Sequence, residues 1–441
     1  MLQADLLIHS ASQLVTCANP HGVKRGAALG DVGLIEDGAL AIRDGRIAAV
    51  GTTGEIRRDY TATQQIDASG KVVCPGFVDC HTHTVFAGDR AGEFEQRIRG
   101  VPYMDILAAG GGILNTVRAT RAASEDELTA LALARLNIMM SLGTTTAEIK
   151  TGYGLDTATE LKMLRVITRL AEAHPADVVP TFLGAHAVPP EYKGRGGEYA
   201  ELVAGEMLPL AAEWFARSLL AQQGRRFCVD VFCEEGAFTL EQARRVLEAG
   251  QALGLGVRAH VDEFVALGGV SLAVGLGALT VDHLDVTTAD EIGVIAASDT
   301  IGVLMPAVNF HLGTAHHANA RTLIEAGAVI ALATDLNPGS APCYSMPLVM
   351  ALACRMYHMT PAEALNASTI NAAYAAGMGA EVGSLEAGKQ ADVLIVNAPD
   401  YRHLAYMLGE NLVETVIKRG TIQHEDAKAQ RYGVESQEGR R

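Results

Sequence analysis

Apolar and polar positions change rhythm twice along the chain. Residues 1–70 carry short apolar runs of strand length. Leu6-Leu7-Ile8 opens one. Residues 39–42 and 47–50 form two more around Asp44-Gly45, a pair suited to a tight turn because both positions accept positive φ. From Val72 onward, apolar runs alternate with stretches of helical period. Helix starts are marked by capping boxes, in which a Ser or Thr oxygen and a Glu or Gln three residues on satisfy free backbone donors. Ser124 with Glu127, Thr157 with Glu160, Thr239 with Gln242, Thr288 with Glu291 and Thr360 with Glu363 have this form. Gly143 and Gly254 stand where two of these helices should stop. After about residue 380 the strand rhythm returns, in 388–396 and 413–417.

The apolar runs between helices lie near 72–80, 144–149, 178–184, 229–233, 257–262, 279–283, 302–306 and 329–334. This repeat predicts an α/β fold built on a (β/α)8 TIM-type barrel. Strand count alone leaves a doubly wound sheet open. Neither terminal segment has enough apolar surface to fold by itself. Residues 1–70 and 380–425 are therefore expected to combine into one small β-sandwich domain, with the barrel spanning 71–379. The polar stretch 426–441 is expected to be a frayed tail.

Composition narrows the class. A chain of 441 residues with 49% hydrophobic and 20% charged positions suits a soluble protein with a large core. Its formal charge of −16 argues against nucleic acid and anionic membranes as partners. It leaves room for a small anionic substrate held by local positive charge. No uncharged run of about 20 apolar residues is present, so no membrane span is expected. Met1-Leu2-Gln3-Ala4-Asp5 has no basic segment leading an apolar run, so no signal peptide is read. Seven cysteines at scattered spacings fit reduced thiols and a cytoplasmic location.

The chemistry sits at strand ends, where barrels of this type carry their functional residues. The first run ends in His81 and His83, two apart and so on one face of an extended chain. Cys80, directly before His81, points away from both on such a chain. The third run ends in His186. The fifth ends in His260, with Asp262 and Glu263 just beyond. The sixth ends in His283 and the eighth in Asp335. A lone histidine at a strand end is more often structural. Ionisable groups at the same end of five strands are hard to explain as packing. His81, His83, His260 and Asp335 supply three neutral nitrogens and a carboxylate, a set that suits zinc or iron with one position left for water.

Other polar features take plainer readings. Gly110-Gly111-Gly112 follows no strand and precedes no Lys-Ser/Thr, so a loop over the pocket is expected rather than a phosphate cradle. His316-His317 reads as a polar loop. Glu148 and Lys150 share a strand face and read as an internal ion pair or network.

The stretch 75–83, Pro-Gly-Phe-Val-Asp-Cys-His-Thr-His, resembles the opening motif of the amidohydrolase superfamily of metal-dependent hydrolases. The resemblance covers nearly the whole chain. Many members with two metals carry a carboxylated lysine on the fourth strand. Residues 228–234 contain none, which favours one metal ion per chain. Residues 83–90, 148–155, 182–192 and 334–340 bring the resemblance closer to a branch that opens the imidazolone ring in histidine breakdown. The implied reaction is water plus 4-imidazolone-5-propanoate giving N-formimidoyl-L-glutamate. Asp335 would be a ligand that also holds the attacking water. His283 would take its proton. Glu263 would hold the ring nitrogens and relay a proton to the leaving nitrogen. His186 would donate to the carbonyl oxygen as charge develops. Arg90 would clamp the propionate, aided by Tyr103 and Tyr153. Without the resemblance, Arg90 would read as a surface ion-pair residue. Asn337, Gly339 and Ser340 would line the same pocket. A homodimer is also implied. Two other readings stand: a purine or pyrimidine deaminase using the same metal set, and a non-catalytic relative, which would be expected to lose ligands that are all present here.

Overall fold

The computed structural model describes residues 1–101 and 111–425. Tyr103 and the expected tail at 426–441 lie outside the described residues. Two compact units are present: Met1–Asp79 with Asn137–Thr146 and the chain from Ser345 on, and Cys80–Leu136 with Ala147–Tyr344.

Five strands precede the barrel: β1 (Leu2–Val15), β2 (Leu34–Arg43), β3 (Arg46–Thr52), β4 (Tyr60–Asp67) and β5 (Val72–Pro75). The barrel strands are β6 (Phe77–Asp79), β7 (Thr144–Lys150), β8 (Asp177–Ala185), β9 (Cys228–Cys233), β10 (Gly256–Val261), β11 (Thr280–His283), β12 (Ile301–Leu304) and β13 (Val329–Leu332). Three more follow: β14 (Val393–Val396), β15 (Val413–Lys418) and β16 (Thr421–Glu425).

The terminal strands form one sheet in the order β16-β15-β14-β5-β1-β2-β3, with β4 also on β1. Long β1 changes partner along its length. It pairs with β4 over Leu2–His9 and with β5 at Gln13 and Leu14. β5 in turn pairs antiparallel with β14, so it is the seam between the two chain ends. Leu6, Ile8, Leu14 and Ile42 share one buried cluster with Val393, Ile395 and Ile417. Each end thus supplies part of a core that neither has alone. Asp44 and Gly45 both take positive φ in the β2–β3 turn, as their sequence suggests.

The eight barrel strands follow one another in chain order. Every residue of β7 and β8 is buried, which is why their sequences read as continuous runs rather than alternating ones. The ring closes at the C-terminal rim. Thr82 and Leu336 form a parallel bridge. The Asp335 amide donates to the His81 carbonyl at 3.1 Å, and the His83 amide to Leu336 at 2.9 Å.

The run at 72–80 corrects the sequence reading. It is two strands, not one. β5 serves the terminal sheet and β6 the barrel, and the chain changes sheets at Pro75-Gly76. A Cβ on Gly76 would lie 2.2 Å from Thr145 Oγ1, so only glycine permits this crossing. Apolar pattern cannot reveal the change, because both halves are wholly buried.

Three of the five expected capping boxes form, at Ser124, Thr239 and Thr360, and a fourth forms by half: Thr288 accepts the Glu291 amide, but the Glu291 carboxylate turns to Ser271. The fifth differs. Asp156, not Thr157, caps the helix Thr157–Ala173. Glu160 is buried and instead accepts the amides of Gly152, Gly154 and Leu155. That loop carries Tyr153, so the glutamate is spent on shaping the pocket wall. The seven cysteines, all among the described residues, form no disulfide. Among the described residues, no helix is long and apolar enough to cross a membrane.

Candidate metal centre

Strand ends of the barrel bring the predicted residues together. His81 and His83 follow β6, His260 lies on β10, and Asp335 follows β13. The ligand-type nitrogens of the three histidines lie within 4.8 Å of one another. Asp335 Oδ1 is 3.4 Å from His81 Nε2 and 3.3 Å from His83 Nε2. All four side chains are buried.

Three of the converging atoms, His81 Nε2, His260 Nε2 and Asp335 Oδ1, have no hydrogen-bond partner. An unsatisfied buried polar atom costs about 1–3 kcal/mol, so three facing one spot call for a common partner. The far sides of two rings are already tied. His81 Nδ1 donates to Asp282 Oδ2 at 2.7 Å, and His260 Nδ1 to Asp230 Oδ1 at 3.0 Å. Each bond fixes the tautomer that leaves Nε2 bare, as a metal-binding imidazole requires. The set fits a divalent ion such as zinc or iron.

The electrostatics follow from burial and neighbours. Burial and Lys150 disfavour a charged His81, but Asp282 and Asp335 outweigh them and hold its pKa up to about 9 without an ion. Burial and the neighbouring histidines push His83 down to about 4, against the pull of Asp335. Burial is opposed at Asp335 by His81 and His83, which hold the carboxyl well below its usual range. Burial likewise lowers His283 to about 3, so that ring is neutral at physiological pH. Glu263 moves the other way. Burial, with Asp335 and Asp285 adding to it, raises its carboxyl well above the ordinary range. His283 Nε2 lies 3.8 Å from Glu263 Oε2.

His283 and Asp335 have φ of 82° and 50°. Left-handed backbone costs a non-glycine residue roughly 1–2 kcal/mol. Both outliers stand where side chains must turn into one cavity, and strain of this kind clusters at functional sites.

A cavity of about 510 Å³ opens over the centre. His83, His260, His283, Asp335, His186 and Glu263 line its floor. Arg90, Tyr153, Asn337, Gly339 and Ser340 also line it. Every described residue of the predicted site therefore reaches it except His81, which is wholly buried beneath. Arg90 Nε donates to Glu93 at 2.8 Å. Its Nη1 would be 2.0 Å from a Cβ on Gly339, so the absent side chain there lets the guanidinium lie against the backbone. Asn337 ties the loop, donating to Asp335 Oδ2 at 3.0 Å and accepting from the Gly339 and Ser340 amides.

One expected role changes. His186 Nδ1 is 3.0 Å from the Gly152 carbonyl. A carbonyl only accepts, so the ring proton is on Nδ1. Burial, with His83 and His260 nearby, holds the imidazole neutral. Nε2 is then an acceptor, not the donor to a developing oxyanion that the sequence reading assigns.

Several residues at or beneath the pocket escape the sequence reading. Arg97, also on the pocket wall, donates to the Gly339 carbonyl at 3.1 Å and contacts His311. It lies seven residues after Arg90 along the helix Ala91–Ile98, the spacing of one helix face, and that spacing was the available signal. Asp230 and Phe232 share a face of β9, and Asp282 directly precedes His283. Their roles emerge only once the ring closes.

Fold and site together define a metal-dependent hydrolase of the barrel type. The amidohydrolase family pattern matches residues 72–422, and an imidazolonepropionase-like composite domain of bacteria matches residues 38–62. The imidazolonepropionase of Chloroflexus aggregans is 56% identical over 96% of this chain and 99% of its own. That of Symbiobacterium thermophilum is 49% identical over 98% of this chain and 100% of its own. Among solved structures, a zinc-bound adenosine deaminase from Xanthomonas campestris superposes with a TM-score of 0.68 at 20% identity, covering 99% of this chain and 98% of its own. That likeness speaks to the fold alone. The chain belongs to the imidazolonepropionase family of amidohydrolases.

Proposed function

We propose that the protein hydrolyses 4-imidazolone-5-propanoate to N-formimidoyl-L-glutamate, a step of histidine degradation. The observation that carries this reading is one cavity lined by Arg90 and by His83, His260 and Asp335, with His81 buried directly beneath. A cyclic amide with a carboxylate side chain needs both. A neutral purine or pyrimidine, the substrate of a deaminase reading, needs only the ligand set.

His81, His83, His260 and Asp335 would hold one metal ion, zinc or iron. When bound, the ion supplies Lewis acidity and lowers the pKa of a water to roughly 7. His283, neutral and at the cavity floor, takes the proton of the attacking water. Glu263, whose carboxyl burial raises well above the ordinary range, lies 3.8 Å from His283 and gives a proton to the leaving ring nitrogen. The proton that His283 gains then restores Glu263, so the cycle balances. His186 accepts a ring N–H and thereby orients the substrate. Arg90 receives the propionate with Tyr153 and Tyr103 beside it, and Asn337, Gly339 and Ser340 form the adjoining wall. A cytoplasmic homodimer completes the reading.

Mass spectrometry of the product after incubation with imidazolone propionate tests it. Formation of N-formimidoyl-glutamate is expected. No turnover of that substrate, together with ammonia release from a nucleobase, would replace this reading with the deaminase one.

A further inference from the structure

Lys150 lies wholly buried under the ligand set. Its Nζ is 2.8 Å from Asp230 Oδ2, 3.0 Å from Glu148 Oε1 and 3.7 Å from Asp282 Oδ2. Asp230 is the acceptor for His260, and Asp282 is the acceptor for His81. One ammonium therefore grips the two carboxylates that each aim a ligand imidazole. Lys150 itself donates to neither ring.

The sequence places Lys150 in an internal ion network, and charge balance would be a sufficient reason for it. The geometry asks for more. Asp230 uses both oxygens, one on His260 and the other on Lys150. Asp282 holds His81 through Oδ2, the same oxygen that faces Lys150, while its Oδ1 has no hydrogen-bond partner. Glu148 has a second cation near, Arg258 Nε at 3.9 Å. Lys150 is the cation placed against both aspartates. Without it, two like charges share a dry space where their repulsion is weakly screened. They would swing apart and carry the two imidazoles with them.

We infer that Lys150 is a positioning residue of the metal centre, fixing the directions of His81 and His260 through Asp282 and Asp230 and so setting the affinity for the ion. This rests on reading His81, His83, His260 and Asp335 as the ligands. Loss of an outer partner of metal-bound histidine typically weakens metal binding about 10- to 100-fold.

The test is metal affinity, measured by chelator competition, with the visible spectrum of the cobalt-substituted protein as a second readout. Lys150→Met removes the charge at similar volume. It should weaken binding by up to about 10-fold, the lower end of the range for a direct partner of a metal-bound histidine, and shift the cobalt spectrum. The double variant Glu148→Gln, Lys150→Met removes one charge of each sign and so keeps the buried charge balance of the parent. It should remain weak and spectrally altered. Parent-like affinity and spectrum in the double variant would reduce Lys150 to charge balance and overturn the inference. Failure of both variants to fold would assign the residue to the fold and overturn it too. A parent protein that takes up no metal in the same titration would instead overturn the ligand assignment.

Discussion

His81 and Asp335 meet twice. The Asp335 amide donates to the His81 carbonyl at 3.1 Å, and Asp335 Oδ1 lies 3.4 Å from His81 Nε2. The first contact closes the barrel between its first and last strands. The second belongs to the proposed ligand set. The two contacts share residues because the seam of the ring falls where the candidate ligands stand.

Elemental analysis of the purified protein is expected to give about one metal ion per chain. His260→Ala removes a ligand rather than an outer partner. Its affinity loss should exceed the ~100-fold upper range for outer partners, and activity should fall with it. Full metal and full activity in this variant would refute the assignment.

Metal uptake should depend on pH in a defined direction. His81 has a pKa of about 9 in the ion-free site and must lose its proton to bind. Below that value protons compete, so apparent affinity should drop up to about tenfold for each pH unit lowered. Calorimetry in buffers of different ionisation enthalpy should register at least about one proton released per ion near pH 7, from His81, with ionisation of bound water adding to it. A flat profile between pH 6 and 8 would contradict this.

Arg90→Ala should lower kcat/KM for imidazolone propionate roughly 10- to 150-fold, the range of a lost charge-assisted contact of about 1.5–3 kcal/mol. Metal content should not change. Arg90→Lys should recover only part of the loss, because a point charge lacks the fork. An imidazolone without the propionate should be insensitive to the change, and equal loss on both substrates would count against the clamp.

Gly339→Ala should act on Arg90 without touching it. The new methyl would press on Nη1 at 2.0 Å, and the flexible guanidinium is the partner able to move. KM should rise with kcat and metal content largely kept. The variant should add little to Arg90→Ala in a double-mutant cycle, whereas full additivity would mean the two act separately.

Deleting residues 1–60 removes β1, β2 and β3 and uncovers Val393, Ile395 and Ile417. Soluble yield should collapse. Within the full chain, Ile395→Ala should cost about 2–5 kcal/mol by denaturant unfolding. A truncated protein as soluble as the parent would argue against a core shared by both chain ends.

The eight barrel strands and their ionisable ends were legible because each run is apolar and five of them end in an ionisable residue. His81, His83, His186, His260, His283 and Asp335 all arrive where that pattern points. Pro75-Gly76 marks an interruption in the run at 72–80, but that its two halves join different sheets was not legible, since burial on both sides erases the contrast between them. Asp230 and Asp282 were hidden for another reason. A carboxylate inside an apolar strand has meaning only beside its partner, and His260 and His81 come from other strands. The donor state of His186 depends on one carbonyl, that of Gly152, which no spacing rule predicts.

The seam at β5 also has a consequence in time. Val73 pairs with Ile395, about 320 residues later in the chain. At about 5–20 residues per second, the ribosome needs roughly 16–64 s to supply that partner. Throughout that interval β5 offers an unpaired edge made of Val72, Val73, Cys74 and Pro75. Such edges invite pairing with other chains. Newborn copies crowded on one messenger are therefore most exposed to mispairing at this edge, and slowing translation of the codons between Val73 and Ile395 should lengthen the hazard without altering the finished enzyme.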